Sequence, residues 1–99
     1  MKIPEECHSI EEVRHEIDEI DVAIIDLLGK RFSFIQEIIK YKSSIDEVYA
    51  KNRYNAVISK RREIATINNL DPDVIENIYH IIMDYFITEQ LELLKRKQK

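Results

Sequence analysis

Ile10, Val13, Ile17, Ile20, Ile24 and Leu27 follow one another at alternating steps of three and four, and Phe34, Ile38 and Tyr41 continue the phase. That spacing predicts one long amphipathic helix from Ser9 to Lys42, with a coiled-coil-like seam. Ser9-Ile10-Glu11-Glu12 fits a capping box, with Ser9 as N-cap and Glu12 reaching back from the third helical position. Gly29 falls inside the helix, because the apolar phase runs unbroken from Leu27 to Phe34. An interior glycine costs about 1 kcal/mol relative to alanine. Either it admits a close neighbour, or it is tolerated drift.

The seam is broken at Arg31, in the slot between Leu27 and Phe34. A guanidinium on an apolar stripe is costly unless an anion meets it. On a continuous helix Lys42 shares the face of Arg31, about 16 Å further on, with Ile35 and Ile38 between them. Two cations over an apolar floor describe a pocket for a small anion. The alternative is that both side chains snorkel to solvent at the edge of the seam.

Residues 43–50, with polar Ser43, Ser44 and Asp46, read as a loop. A second helix is expected from Lys51 to Ile67, with Tyr54, Val57, Ile58, Ile64 and Ala65 inward. Lys60, Arg61, Arg62 and Glu63 then form a solvated face, and Asn68-Asn69-Leu70 closes the helix. Asp71-Pro72-Asp73 is a helix start, with Asp71 capping and Pro72 in the first position. The third helix should run to about Lys95 on a stripe of Ile75, Tyr79, Ile82, Phe86 and Leu93. Gln90 falls in phase with that stripe, and its amide needs a partner.

The expected architecture is all-α, a single domain over residues 1–99 with three helices, one of them very long. The first helix would measure about 50 Å, against a radius of gyration near 13 Å for a compact chain of about this size. Two shorter helices cannot cover it, so an intertwined helical homodimer is expected. One Gly and two Pro leave little material for hairpins. There is no apolar run long enough to span a membrane. The N-terminus lacks the apolar core of a signal peptide, and Cys7 is the sole cysteine. A cytoplasmic location follows as the expectation. The net charge of −4 argues against a nucleic-acid binder with a basic surface, and Lys95-Arg96-Lys97-Gln98-Lys99 reads as a solvated helix end. His8, His15 and His80 are scattered, so no metal site is expected.

At this point the chain resembles the all-helical chorismate mutases, and within them the isochorismate-pyruvate lyases of salicylate and siderophore biosynthesis. The resemblance covers nearly the whole chain. It rests on Lys2-x-Pro4-Glu5-x-Cys7, Arg14, Ile17-Asp18-x-Ile20-Asp21, Leu28-Gly29-Lys30-Arg31, Lys42, Arg53, Leu70-Asp71 and Ile87-x-Glu89-Gln90. Arg14, Arg31, Lys42 and Gln90 at these separations carry most of it. The resemblance implies an interlocked homodimer with two equivalent sites for a small anionic metabolite, isochorismate or chorismate, and no cofactor. It implies that Lys42 and Gln90 act on the ether oxygen of the breaking bond. Arg31 and Arg53 would bind substrate carboxylates, and Arg14 would cross from the partner chain to another. Arg14 and Arg31 stand about 25 Å apart on one helix, too far to hold one small molecule from the same chain.

Neither pericyclic reaction of this family requires a nucleophile or a metal. Lys51 and Asn55 stand where many mutases of the class have acidic residues, and Phe86 replaces a small polar one. Those departures favour a lyase with weak mutase activity over a dedicated chorismate mutase. A non-catalytic helical dimer remains as an alternative, in which an ion pair with Glu89 would meet Arg31.

Overall fold

The computed structural model describes residues 2–98, and every regular element among them is helical. A 3-10 turn at Pro4–Glu6 precedes α1 (Ile10–Ile38), which is followed directly by a second 3-10 turn at Ile39–Tyr41. Then come α2 (Ile45–Tyr49), α3 (Lys51–Ile67) and α4 (Pro72–Lys97). No helix is long and apolar enough to cross a membrane. The chain divides into two compact units, the first ending at Phe34 and the second beginning at Ile35.

In the first unit the backbone N–H of Glu12 donates to Ser9 Oγ at 3.1 Å, which starts α1 at the expected place. The carboxylate of Glu12 accepts the N–H of His8 at 2.7 Å, one residue ahead of the expected reciprocal partner. That bond, aided by Lys2, holds Glu12 below the usual carboxylate range despite partial desolvation. None of the 29 residues of α1 is buried within the chain. The seam residues Ile10, Val13, Ile17, Ile20, Ile24, Leu27 and Phe34 are between 41% and 76% exposed. A Cβ added at Gly29 meets nothing within 4 Å, so nothing within the chain requires a glycine there.

The second unit owes its order to α4, which supplies one wall of both hydrophobic clusters. Ile39, Val48 and Leu94 form one, flanked by Ile87, Leu91 and Leu93. Val57, Ile58 and Met83 form the other, flanked by Tyr54 and Tyr79. The α3 and α4 helices form an antiparallel pair joined by a tight link. Asn69 adopts a left-handed φ of 60°, and Leu70 N–H reaches back to the Ala65 carbonyl at 2.9 Å. This is the closing motif of a helix whose last carbonyls need donors. Asp71 then caps α4 by accepting the N–H of Asp73 at 2.8 Å.

Three expectations require correction. Residues 43–50 are not simply a loop, because α2 occupies Ile45–Tyr49 and buries Val48 to 2% exposure. Ser44 caps it by accepting the N–H of Glu47, a Ser-x-x-Glu signature present in the sequence. The charged side of α3 is only partly solvated. Arg62 donates to Asp73 and Glu76, each at 2.8 Å, and the Arg61 guanidinium lies 5.6 Å from the centre of the Tyr79 ring. Ile64, expected inside, is 41% exposed.

Glu76 also meets His80 Nε2 at 3.1 Å, so it links α3 to α4 and braces α4 along its own length. The His80 bond first, and Arg62 second, hold the Glu76 carboxyl below its ordinary value of 4.5. A depressed carboxyl contributes stability that is present above its unfolded value and lost as pH falls through the folded one. The Tm gap between wild type and Glu76→Gln should therefore be full at neutral pH and close on acidification below 4.5. A gap that stays constant across that range would refute this assignment.

Candidate active site

The side chain of Lys42 donates from Nζ to Gln90 Oε1 at 3.0 Å. This contact joins the segment that leaves α1 to the C-terminal half of α4. Gln90 is 5% exposed and is the buried polar side chain of the second unit's core, on a helix face shared with Phe86 and Leu94. The partner that its amide required is thus an ammonium. Lysine carries three N–H donors and glutamine two, so their mutual bond uses one and leaves the others available to a ligand oxygen. Burial lowers the pKa of Lys42 from its ordinary value, with the carboxylate of Glu47 acting in the opposite direction.

Lys42 reaches this place by a route that helical periodicity does not describe. The α-helix ends at Ile38, and three residues of tighter 3-10 turn follow. Lys42 itself is extended, with φ −115° and ψ 139°. The expectation that it lies on a helical face with Arg31 fails for that reason. Its direction is set by the exit of the chain from the turn, and by Gln90.

The other expected site residues are distributed as follows. Arg53 is in the first turn of α3 and exposed. Among the described residues, no hydrogen bond or ion pair joins it to Lys42 or Gln90. Arg14 and Arg31 both lie on α1 in the first unit, Arg14 exposed and Arg31 half-buried. Phe86 is buried to 5% exposure, four residues before Gln90.

Sequence reading missed a second polar cluster. The Tyr54 hydroxyl donates to Asp84 Oδ1 at 2.9 Å, and its oxygen lies 2.7 Å from His80 Nδ1. Burial, with Asp84 assisting, pushes the Tyr54 phenol up to about 12. Tyr54 and Asp84 line a cleft of about 630 Å³ between α2, the start of α3 and α4, and Lys51 and Ile87 contribute to the same wall. Neither Lys42 nor Gln90 lines that cleft. The sequence carries a signal for it, since the periodicity of α3 turns Tyr54 inward and an inward phenol needs a polar partner. Which of His80 and Asp84 would supply it depended on how α3 and α4 pack. Among the described residues no cluster of His, Cys, Asp or Glu could hold a metal ion.

The structure thus brings an ammonium and a buried amide together on an all-helical scaffold. The chain belongs to the chorismate mutase type II family, whose model matches residues 13–91. It is therefore an all-helical enzyme of the pericyclic kind, from a family that acts on small chorismate-like anions. An isochorismate pyruvate lyase of Pseudomonas aeruginosa is 32% identical over 92 residues, which cover 93% of this chain and 91% of that protein. A T-protein of Enterobacter agglomerans is 32% identical over 72 residues, covering 72% of this chain and 19% of that much longer protein.

The lowered Lys42 can be measured directly. Side-chain nitrogen NMR should find Lys42 titrating below the ordinary 10.5, with its resonance assigned by loss in Lys42→Met. A midpoint at or above that value would contradict the half-buried geometry.

Proposed function

We propose that this protein is an isochorismate-pyruvate lyase that forms salicylate and pyruvate in the cytoplasm, with weak chorismate mutase activity. The observation that carries the proposal is the Lys42–Gln90 pair, 3.0 Å between Nζ and Oε1 in a half-buried position. The similar P. aeruginosa lyase, matched over nearly the full length of both chains, supports the choice of substrate. The buried Phe86 and the basic Lys51, in place of polar and acidic residues of many mutases, point the same way.

In this reading the protein supplies shape and charge. Arginines bind the two carboxylates of isochorismate, since a guanidinium pairs with a carboxylate through two parallel bonds. Held compactly, the substrate loses its enolpyruvyl group. The C–O bond breaks, a ring hydrogen passes to the methylene carbon, and pyruvate leaves an aromatic salicylate. Negative charge develops on the ether oxygen as that bond stretches, and donors already in place there lower the barrier. Lys42 is the cationic donor and Gln90 the neutral one.

The site is completed by a second copy of the chain. The apolar seam of α1 supports this, because its residues remain 41% to 76% exposed within one chain. Full burial of a Val, Leu, Ile or Phe side chain is worth about 1.5–3 kcal/mol. Even partial burial of seven such residues rivals the about 5–15 kcal/mol by which a domain is stable. Arg14 then crosses to the partner site, while Arg31 and Arg53 serve their own. The whole chain acts as one domain of the interlocked dimer.

A dedicated chorismate mutase is the second reading, favoured by the family whose model spans residues 13–91. Assays that offer isochorismate and chorismate separately decide between them. A higher kcat/KM for isochorismate is expected. Turnover of chorismate alone would replace the lyase assignment, and turnover of neither by the folded protein would leave a non-catalytic helical dimer. Lys42→Ala should lower kcat as well as kcat/KM, by roughly 10²–10³, the usual loss for a preorganised donor. A lysine with only a structural part would lower stability by about 1–3 kcal/mol, through the buried Gln90 amide left unpaired, and leave rates intact.

Crossing of Arg14 has its own test. Arg14→Ala and Arg31→Ala proteins, each inactive, should regain activity when unfolded together and refolded. One of the two sites in the mixed dimer then carries neither change. Confirmed mixed dimers without activity would refute the crossing.

A further inference from the structure

We infer that Lys97, at the end of α4, is the positioning residue that fixes the main chain of Lys42 and so aims its ammonium. Lys97 Nζ donates to the carbonyl oxygens of Ile39 at 3.0 Å, Lys40 at 3.3 Å and Lys42 at 2.9 Å. These carbonyls lie where α1 has given way to the 3-10 turn and the chain then leaves it. The last carbonyls of a helix have no intrahelical donor. An ammonium has three donors, and a cation is favoured at a helix C-terminus. A single side chain therefore binds three carbonyls of this end, that of Ile39 together with the Lys42 N–H. Gln98 extends the grip by one residue, donating from Nε2 to the Ser43 carbonyl at 3.2 Å.

The register of α4 turns this cap into an aiming device. Gln90, Leu94 and Lys97 are four and three residues apart, which places them on one helical face. Gln90 holds the Lys42 side chain, Leu94 packs in one cluster with Ile39, and Lys97 holds the Lys42 carbonyl. Lys42 is thus gripped at both its ends by one face of one rigid element. The tail of α4, read from sequence as a solvated basic end, has a task at the candidate site. This inference rests on the reading of Lys42 as the cation of the reaction. A shift of 1 Å at a reacting group costs up to about 10²-fold in rate, so loosening the turn should act on turnover.

The test compares Lys97→Met, which keeps an unbranched stem without donors, with Lys97→Arg, which keeps donors. In Lys97→Met, kcat for the better of isochorismate and chorismate should fall about tenfold, within the 10²-fold that misplacement costs, with KM little changed. Lys97→Arg should recover most of the loss. The Lys42 titration midpoint in Lys97→Met should move up toward 10.5, as the ammonium leaves its half-buried place.

Amide exchange gives a readout that needs no turnover. The Lys42 N–H, bonded to the Ile39 carbonyl at 3.2 Å, should exchange faster in Lys97→Met, while amides around Val57 and Met83 keep their rates. Unchanged exchange and titration at Lys42 would overturn the inference even in an active enzyme. So would an equal loss of kcat in Lys97→Arg, or a loss confined to Tm. If Lys97→Met does not fold, Lys97→Gln, with a shorter donor, takes its place under the same criteria. If the clamp loosens as expected but wild type turns over neither substrate, the catalytic reading of Lys42 fails, and the aiming role of Lys97 is overturned with it.

Discussion

The bond between Lys42 and Gln90 is the constraint to which the second unit is fitted. A buried amide with no partner, or an ammonium taken out of water without compensation, would each cost about 1–3 kcal/mol or more. Each resolves the difficulty of the other at 3.0 Å. For this to happen, α1 must end before residue 42, the chain must turn out of the helix, and α4 must present Gln90 at the exit. The tighter 3-10 turn at Ile39–Tyr41 meets the first two conditions, and the packing of Leu94 with Ile39 and Val48 meets the third. Burial lowers the Lys42 pKa from its ordinary value, and Gln90 holds its side chain in this half-buried place.

The first unit shows the opposite economy. Its helix buries nothing within the chain, although it carries the most regular apolar pattern in the sequence. A stripe of Ile, Val and Leu at steps of three and four is a surface shaped for another helix. The proposed second copy supplies one with the same stripe. In that proposed dimer, Arg14 of one copy and Arg31 of the other would face one pocket.

Polar contacts fix how α3 lies on α4. Val57, Ile58 and Met83 form a small cluster that would tolerate some sliding. Arg62 with Asp73 and Glu76, and Tyr54 with His80 and Asp84, are directional and allow less. Exposed ion pairs are individually weak. As a connected set spanning two helices, they set register, and with it the wall of the cleft that Tyr54 and Asp84 share.

By itself the sequence determined the three long helices and most of their ends, because periodicity and caps are local. The α3 bounds, the start of α1 at Ser9 and the Asp71-Pro72 start of α4 follow from residues within a turn of each boundary. The chemical types at the candidate site were equally legible: an arginine on a seam and a glutamine on a stripe stand out against their neighbours. Tertiary structure decided the rest. Lys42 leaves the helix before its periodic position and is directed by Gln90, forty-eight residues away. Residues 45–49 are helical because five residues with a Ser44 cap become stable once Val48 is buried with Ile39 and Leu94. Lys97 closes a turn fifty-five to fifty-eight residues away, where its composition suggested only a wet tail. Local signals report what a segment can form alone, whereas these three features depend on which distant groups arrive beside it.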